Sequence, residues 1–340
     1  MPGARLDLSR EQILGFRRRV GSLDDRLPKG TASLRQAAWA GLQDSMPRAA
    51  LLSIHARVAG TEPTTWEDQS LVQLWGPRYS TYVVARKDVA VFSLGRLPED
   101  GNGRRVAEEV AARLRGILGA DRMIDREAAL RLGVHPNRFR YAAPTGTVLI
   151  RWEGARAPVI WTVDAPELDP AEASRELARR YLHVFGPATP SSFTEWAGIS
   201  TRRGPTIFDT LRGSLIPVRT PLGDAWALKR DEAALRAMPG PPAPVRFLPS
   251  GDAYFLLQGA DRALLVPEAD RQARLWTSRV WPGALLVGGE IVGTWRRANA
   301  DLSIEPWRPM SGKERAAIEL EASSLPLPGV ASTIRVRWSA

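Results

Sequence analysis

The sequence contains no cysteine and only three histidines. The lack of cysteine excludes disulfide bonds, thiolate chemistry and cysteine-ligated zinc sites. His55, His135 and His183 show neither HExxH nor another spacing typical of metal ligands, which disfavours a metal hydrolase. No GxxxxGKS/T or GxGxxG loop is present, which argues against a nucleotide site. We therefore expect neither a metal nor a cofactor.

Long hydrophobic runs are also missing. No stretch approaches the roughly 20 apolar residues that a membrane-spanning helix needs. The opening residues, MPGARLDLSREQ, are polar and lack the apolar centre of a signal peptide. Together with the absence of cysteine, these features predict a cytoplasmic protein with no membrane partner.

Positive charge, by contrast, is abundant. Lysine and arginine together number 47 against 37 acidic residues, so the formal net charge is +10 and the pI is near 10.6. Arginine greatly outnumbers lysine. Because guanidinium groups make forked contacts with phosphates, this balance favours a nucleic-acid partner. A GC-rich genome would produce a similar arginine excess, so charge alone does not decide.

A chain of 340 residues is long enough for two to four modules. The first segment predicts three helices, at 8–20, 33–43 and 47–58. The first of them begins with a capping box formed by Ser9 and Gln12.

A β-rich stretch at 70–94 follows these helices, and three helices before a β-element is the order of a winged helix-turn-helix. The same order recurs twice with different sequences. The second copy has predicted helices at 103–118, 125–136 and 137–143 and a hairpin at 145–163; the third has helices at 169–186, 189–200 and 201–214 and a hairpin at 215–228.

A proline-rich break at 238–249 precedes a segment of mostly β character. Strands are predicted at 262–266, 283–297 and 332–338, with one helix at 311–325. The predicted fold class is α+β: three tandem winged helix-turn-helix units and a C-terminal antiparallel β-barrel-like domain. The predicted domains are 1–98, 99–166, 167–237 and 238–340.

Several motifs resemble one known family along nearly the full chain. They are GLQDSMPRAALLSIHARV (41–58), LVQLWGPRYSTYVV (71–84), YLHVFGPATPSSFTEWAGIS (181–200), and LLVGGEIVGTWRR (285–297) with IEPWRPMS (304–311). The chain resembles the AlkZ/YcaQ family of bacterial alkylpurine DNA glycosylases.

The resemblance implies a C-shaped scaffold in which winged helices line a basic channel. It implies hydrolysis of the N-glycosidic bond of N-alkylated or bulky-adduct purines in double-stranded DNA. Such a hydrolase acts in base excision repair of alkylation damage and can protect a producer of genotoxins.

The family's catalytic motif, Gln–apolar–Gln or Gln–apolar–Asp, aligns with Gln43-Asp44-Ser45. Gln43 keeps the first position, whereas Asp44 and Ser45 depart from the pattern. A further family position, commonly His, falls on Tyr82, which follows Arg78. The resemblance thus makes Gln43, Asp44 and Ser45 the catalytic candidates, with Arg78 and Tyr82 beside the bound DNA.

Asp44 and Ser45 have both a catalytic and a structural interpretation, and the sequence leaves both open. Both are helix-capping residue types, and a helix is predicted to start near Pro47. Asp44 also lies one residue too early to inherit the role of the missing motif carboxylate, because neighbouring side chains point in different directions.

A catalytically inert DNA-binding protein on the same scaffold, such as a damage sensor or a transcriptional regulator, is the alternative function. Arg138, Arg140, Arg202 and Arg203 are the candidate groove or phosphate contacts in either case. Sequence-reading factors usually dimerise on paired half-sites, so three different winged helices favour a monomer wrapped around one lesion. We expect it to be nucleoid-associated.

Overall fold

The computed structural model describes residues 5–46, 48–154, 156–238, 240–242, 245–257, 259–330 and 332–339. Its α-helices are α1 (Arg10–Val20), α2 (Thr31–Ala37), α3 (Ala49–Arg57), α4 (Val89–Leu94), α5 (Gly101–Leu118), α6 (Asp125–Leu132), α7 (Pro170–Phe185), α8 (Pro190–Ala197), α9 (Arg203–Thr210), α10 (Glu232–Arg236), α11 (Arg262–Leu265), α12 (Ala269–Leu275) and α13 (Gly312–Ser323). Its β-strands are β1 (Leu6–Asp7), β2 (Leu42–Gln43), β3 (Leu71–Trp75), β4 (Thr81–Ala85), β5 (Met123–Ile124), β6 (Val148–Arg151), β7 (Val159–Thr162), β8 (Leu215–Thr220), β9 (Gly223–Leu228), β10 (Val245–Leu248), β11 (Gly283–Val287), β12 (Glu290–Ala298), β13 (Asp301–Pro306) and β14 (Arg335–Trp338). Helices and strands are mixed throughout, so the α+β class is confirmed. Among the helices in these ranges, none combines the length and apolar character required to cross a bilayer.

Local end signals account for several helices predicted from the sequence. The capping box of Ser9 and Gln12 is present at the start of α1. The side chain of Asp169 accepts hydrogen bonds from the first turn of α7. A second capping box, at Ser311 and Glu314, begins α13. The structure confirms these helices. They could be predicted because the residues that define their ends are close in sequence.

The largest sheet has six strands in the order β2-β4-β3-β6-β7-β5. β3 and β6 pair antiparallel at Gln73 and Ile150, which joins the first two predicted units through one continuous sheet. The short strand β2 forms one edge, where it pairs with β4. The candidate motif therefore lies at the edge of a sheet.

A three-stranded sheet brings distant parts of the chain together. β8 and β9 form the predicted hairpin, and β1 pairs with β8 in parallel, with Leu6 opposite Val218. Beside it, α7 and α8 pack through Tyr181, Phe185 and Trp196, whose ring centroids lie 5.0 to 5.4 Å apart. These rings are buried in the main hydrophobic core.

The C-terminal segment is an open sheet, so the predicted β-barrel is wrong. Its strands run in the order β10-β11-β12-β13-β14, and β14 pairs with β13 in parallel. The helix α13 contributes Ile318 and Ala322 to the core beneath this sheet. The strand predicted at 262–266 is the helix α11, because a short apolar run has the same composition in either state.

The helix predicted at 33–43 ends earlier than expected. α2 stops at Ala37, and the chain turns at Gly41 before entering β2. Gly41 has φ +74°, and a Cβ there would lie 2.9 Å from the rings of Tyr82 and Phe92. Only glycine fits this close approach. Pro47, the predicted first residue of α3, lies outside the described residues.

Candidate active site

Gln43 lies on the edge strand β2, opposite Tyr82 of β4. Side chains alternate along an extended strand, which explains why Gln43 is half-buried, Asp44 is buried and Ser45 is exposed. The Oε1 atom of Gln43 accepts a hydrogen bond from Arg78 Nη2 at 3.2 Å. A Cβ on Gly251, which has φ +76°, would lie 3.0 Å from the Gln43 amide. The glutamine is thus held between an arginine and a close-packed loop.

Arg78 is positioned by the loop between β3 and β4. Its backbone is in the left-handed region with φ +53°. Gly198, after α8, packs so closely that a Cβ there would lie 2.8 Å from the Arg78 main chain. Within the described part of the chain, Arg78 Nη1 is buried and has no hydrogen-bond partner. One donor of the guanidinium therefore has no acceptor among the described residues.

Asp44 binds the first turn of α3, although the N-cap residue of that helix is Arg48. Asp44 is 1% exposed, and its Oδ1 accepts a hydrogen bond from the Ala50 N–H of α3 at 2.9 Å. Its Oδ2 accepts from Gln73 Nε2 at 2.6 Å, while Gln73 Oε1 accepts from the Trp152 N–H at 2.7 Å. This chain of bonds fixes β2 to α3, β3 and the loop after β6. Sequence reasoning missed Gln73 because its partners are far away along the chain.

Burial raises the pKa of Asp44 from 3.8 to about 6, although the bonds from Ala50 and Gln73 act in the opposite direction. The folded protein then binds this proton more tightly than the unfolded chain does. Asp44 therefore favours folding below about pH 4, and that contribution, about 3 kcal/mol, is lost as the pH rises through about 6.

We expect the free energy of unfolding of the wild type, relative to Asp44→Asn, to fall by about 2 kcal/mol between pH 4.5 and pH 7. Urea unfolding of both proteins at several pH values measures this difference. Titrations of other groups are common to both proteins and cancel. A difference that does not change with pH would show that Asp44 ionises as it does in the unfolded chain.

A cleft of about 410 Å³ opens beside this segment. It brings together three predicted site residues, Ser45, Arg78 and Arg140. Its lining residues are Ser45, Trp75, Arg78, Tyr79, Ser80, Thr81, Asp125, Pro136, Asn137, Arg140, Trp152 and Pro158.

Asp125 is the functional candidate that sequence reasoning missed in this cleft. Its Oδ1 is buried and has no hydrogen-bond partner among the described residues, and burial raises the pKa of its carboxyl. From the sequence it reads only as the first residue of a helix, which it also is. It shares a cleft with Ser45 because one sheet joins the first two segments.

A second cleft, of about 300 Å³, begins at the next residue along the chain. It is lined by Met46, by Trp281 and Trp295, and by Arg296 and Arg297. The segment that carries Gln43 therefore continues between two clefts, each containing arginines. We name the first the polar cleft and the second the tryptophan cleft.

The other predicted site residues lie elsewhere. Tyr82 is fully buried, so it offers no surface to a DNA strand, and burial raises its pKa to about 12. Arg138 and Arg202 are exposed but line neither cleft. Arg203 contacts Glu99 at 2.8 Å, and two of its nitrogens donate to other protein oxygens. None of the described residues form a cluster of three or more potential metal ligands.

The sequence that forms these clefts matches a known protein family. The family model described as DNA glycosylase AlkZ-like matches residues 37–326. The chain belongs to the AlkZ-like DNA glycosylase family. The AlkZ-like match includes β2, both clefts and most of the C-terminal segment, which confirms the resemblance derived from the sequence motifs.

A similar sequence and a similar solved structure both come from Streptomyces sahachiroi. An interstrand DNA cross-link repair glycosylase is 26% identical over 257 residues, which is 68% of each chain. The structure of the DNA glycosylase AlkZ has a TM-score of 0.78 at 18% identity, covering 98% of this chain and 100% of that one. This AlkZ structure shows that the two proteins share their overall fold.

Proposed function

We propose that the chain is a DNA glycosylase that hydrolyses the N-glycosidic bond of N-alkylated or bulky-adduct purines in double-stranded DNA. A purine alkylated at N7 or N3 carries positive charge, so its base leaves without a general acid. The protein must hold a water at the sugar C1′ and stabilise the developing oxocarbenium ion.

The observation that carries the proposal is the placement of Gln43 in this family's scaffold. Its amide is held by Arg78 and by Gly251 at the edge of a sheet, beside clefts that contain arginines. A primary amide both donates and accepts hydrogen bonds, so it can orient a water without being a base. A fixed position matters because a displacement of about 1 Å can cost about a hundredfold in rate.

Carboxylates act from two places in this scheme. Asp44 is buried behind β2 and stabilises positive charge at the sugar through its field, without contacting the substrate. Asp125 lines the polar cleft and accepts the proton of the attacking water. Asp125 thus provides the carboxylate that the Gln43-Asp44-Ser45 motif does not direct toward the ligand.

Replacing Asp125 with asparagine is expected to lower the rate of base release about tenfold, while DNA affinity stays the same. The effect is smaller than usual for a general base because the cationic base departs unaided. Single-turnover assays on duplex DNA containing N7-methylguanine measure it. Asp121→Asn, which changes an exposed acid of the preceding loop, is the matched control. An unchanged rate in Asp125→Asn would remove Asp125 from the mechanism.

DNA binding follows from the cations of the two clefts. Arg78 and Arg140 in the polar cleft and Arg296 and Arg297 in the tryptophan cleft are close to the candidate motif and suit phosphates on both sides of a lesion. We propose that the segments 1–98, 99–166 and 167–237 act as three winged helices around one duplex. The protein then works as a monomer on DNA in the cytoplasm, associated with the nucleoid.

We expect Arg140→Ala to weaken duplex binding several-fold at moderate salt and to reduce the slope of log affinity against log salt by about 1. The reason is the loss of one phosphate contact. Fluorescence anisotropy at several salt concentrations measures both quantities. Arg315→Ala, an exposed arginine of α13 that lines neither cleft, is the control. Equal slopes for the two variants would place the duplex elsewhere.

One assay tests the proposed function directly. Wild-type protein is incubated with duplex DNA containing one N7-methylguanine, and abasic sites are detected by alkaline strand cleavage. Release above the spontaneous rate supports the glycosylase. Salt-sensitive binding without base release supports the alternative, an inert DNA-binding protein that detects damage or regulates transcription. Absence of binding at low salt contradicts both functions.

A further inference from the structure

The walls of the tryptophan cleft differ in character from those of the polar cleft. Apart from Ser250, Arg296 and Arg297, its lining residues are apolar side chains and one glycine. The phosphate contacts proposed above use only the two arginines. The apolar walls therefore have no part in binding the DNA backbone.

Met46 and Val280 bring exposed apolar side chains to this cleft. They are 37% and 47% exposed, and the neighbouring Trp281 is half-buried. Single exposed apolar residues are common on protein surfaces and require no explanation. Several of them around one concave site indicate a binding site for an apolar group. Their surfaces are accessible, so a ligand in the cleft can contact them directly.

The two indole rings of the cleft are held from behind. Trp295 Nε1 donates a hydrogen bond to the Leu248 main-chain carbonyl at 3.0 Å, and its ring packs edge-on against Phe247 at 5.5 Å between centroids. The ring of Trp281 packs against Phe255 at 6.5 Å. The wall is thus preformed, and an apolar group can bind to it with little cost in ordering side chains.

Two chain segments connect this cleft to Gln43. Met46 directly follows Ser45, at the end of the candidate motif. On the other side, the Gln43 amide packs against Gly251, and the preceding residue, Ser250, lines the cleft. The cleft volume of about 300 Å³ lies within the range of small-molecule sites. A ligand group placed beside Gln43 can therefore extend into this cleft.

The chemistry of an alkylated purine determines which group lies there. N7 and N3 are each separated from N9, which carries the sugar, by a single ring carbon. A substituent on either nitrogen therefore begins close to C1′, where Gln43 is proposed to hold the water. Space for that substituent is required next to Gln43, and the tryptophan cleft offers apolar space at this position.

Arg296 and Arg297 restrict the charge of such a substituent. Arg296 donates to the main-chain carbonyl of Val280 at 3.1 Å, and Arg297 donates to that of Asn299 at 3.1 Å. Carbonyl oxygens carry no net charge, so these bonds do not neutralise either guanidinium. Both arginines attract phosphates and repel a positively charged substituent.

We infer that the tryptophan cleft binds an uncharged apolar substituent of the damaged purine and thereby favours large apolar adducts over a methyl group. Met46, Val280 and Trp281 are the residues that determine this specificity. The inference rests on the proposed function, because it requires a damaged purine at Gln43. It adds the part of the protein that selects the substituent.

A binding assay that requires no base release tests this inference. Three duplexes differ only in the group carried at position 7 of one 7-deazaguanine: methyl, benzyl or aminopropyl. A carbon in place of N7 keeps the glycosidic bond stable. In fluorescence anisotropy, the wild type is expected to bind the benzyl duplex about tenfold more tightly than the methyl duplex, because the ring leaves water. The aminopropyl duplex should bind no more tightly than the methyl duplex.

A double variant tests the apolar surface itself. Met46→Gln combined with Val280→Thr keeps the size of both side chains but makes the cleft more polar. It should reduce the preference for benzyl over methyl to about twofold. Leu222→Gln is the matched control, because Leu222 is another exposed apolar residue and lines neither cleft. Comparing two duplexes with the same variant cancels any general change in DNA affinity.

Four results would overturn the inference: equal wild-type affinity for the benzyl and methyl duplexes, an unchanged preference in the double variant, an equal loss of preference in Leu222→Gln, and aminopropyl binding as tight as benzyl binding. Release of N7-methylguanine without a benzyl preference contradicts this inference alone. A benzyl preference without base release supports the cleft and contradicts the glycosylase. Absence of binding to all three duplexes contradicts both.

Discussion

Gln43→Ala is expected to lower the single-turnover rate of N7-methylguanine release about a hundredfold. Gln43 is the one motif residue that keeps the family identity. Arg78 and the Gly251 loop fix the position of its side-chain amide. Removing a positioned hydrogen-bonding group from a reaction centre typically costs about 100- to 1000-fold in rate. DNA affinity should change little, because an uncharged amide neutralises no phosphate charge.

Two controls make this result specific. Gln69→Ala removes an exposed glutamine that lines neither cleft, and its rate should match the wild type. Ser45→Ala should lower the rate less than Gln43→Ala, because a hydroxyl at the exposed edge of the polar cleft is less restrained. A rate for Gln43→Ala within a few-fold of wild type would contradict the proposed position of the water.

The altered motif illustrates what could be predicted from residues alone. Neighbouring side chains point in different directions in a helix or a strand, so the sequence predicts that Asp44 does not take the direction of Gln43 or Ser45. The structure buries Asp44 under α3, whereas Ser45 is exposed. The same reasoning does not find Asp125, which reaches the polar cleft only because β3 pairs with β6. That pairing joins residues about 80 positions apart, and no local pattern encodes it.

The same distinction applies to the fold. Helix ends with side-chain caps, such as those at Ser9 and Ser311, were predictable because donor and acceptor lie three residues apart. The hairpins at β8–β9 and β11–β12 were predictable from their turns. The parallel pairing of β1 with β8, and the open C-terminal sheet, depend on contacts across the whole chain. The burial of Tyr82 likewise follows from its packing against Gly41 and Gly76.

Asp252→Ala is expected to have the largest effect on stability, about 3–5 kcal/mol less free energy of unfolding. The Asp252 side chain is 0% exposed and forms a two-bond ion pair with Arg57. It also accepts hydrogen bonds from Ser53 and the Tyr254 N–H. Without the carboxylate, the Arg57 charge stays buried without its partner. The adjacent Gly251, which packs against Gln43, would lose its anchor to α3.

Urea unfolding followed by circular dichroism measures this loss, and a double variant identifies its cause. If the cost arises from the stranded guanidinium, Arg57→Met combined with Asp252→Ala should be more stable than Asp252→Ala alone. Glu109→Ala breaks an exposed pair with Arg105 and should change stability by less than about 1 kcal/mol. If the double variant is less stable than Asp252→Ala, the bonds to Ser53 and Tyr254 dominate. The ion pair would then not be what holds the Gly251 loop against Gln43.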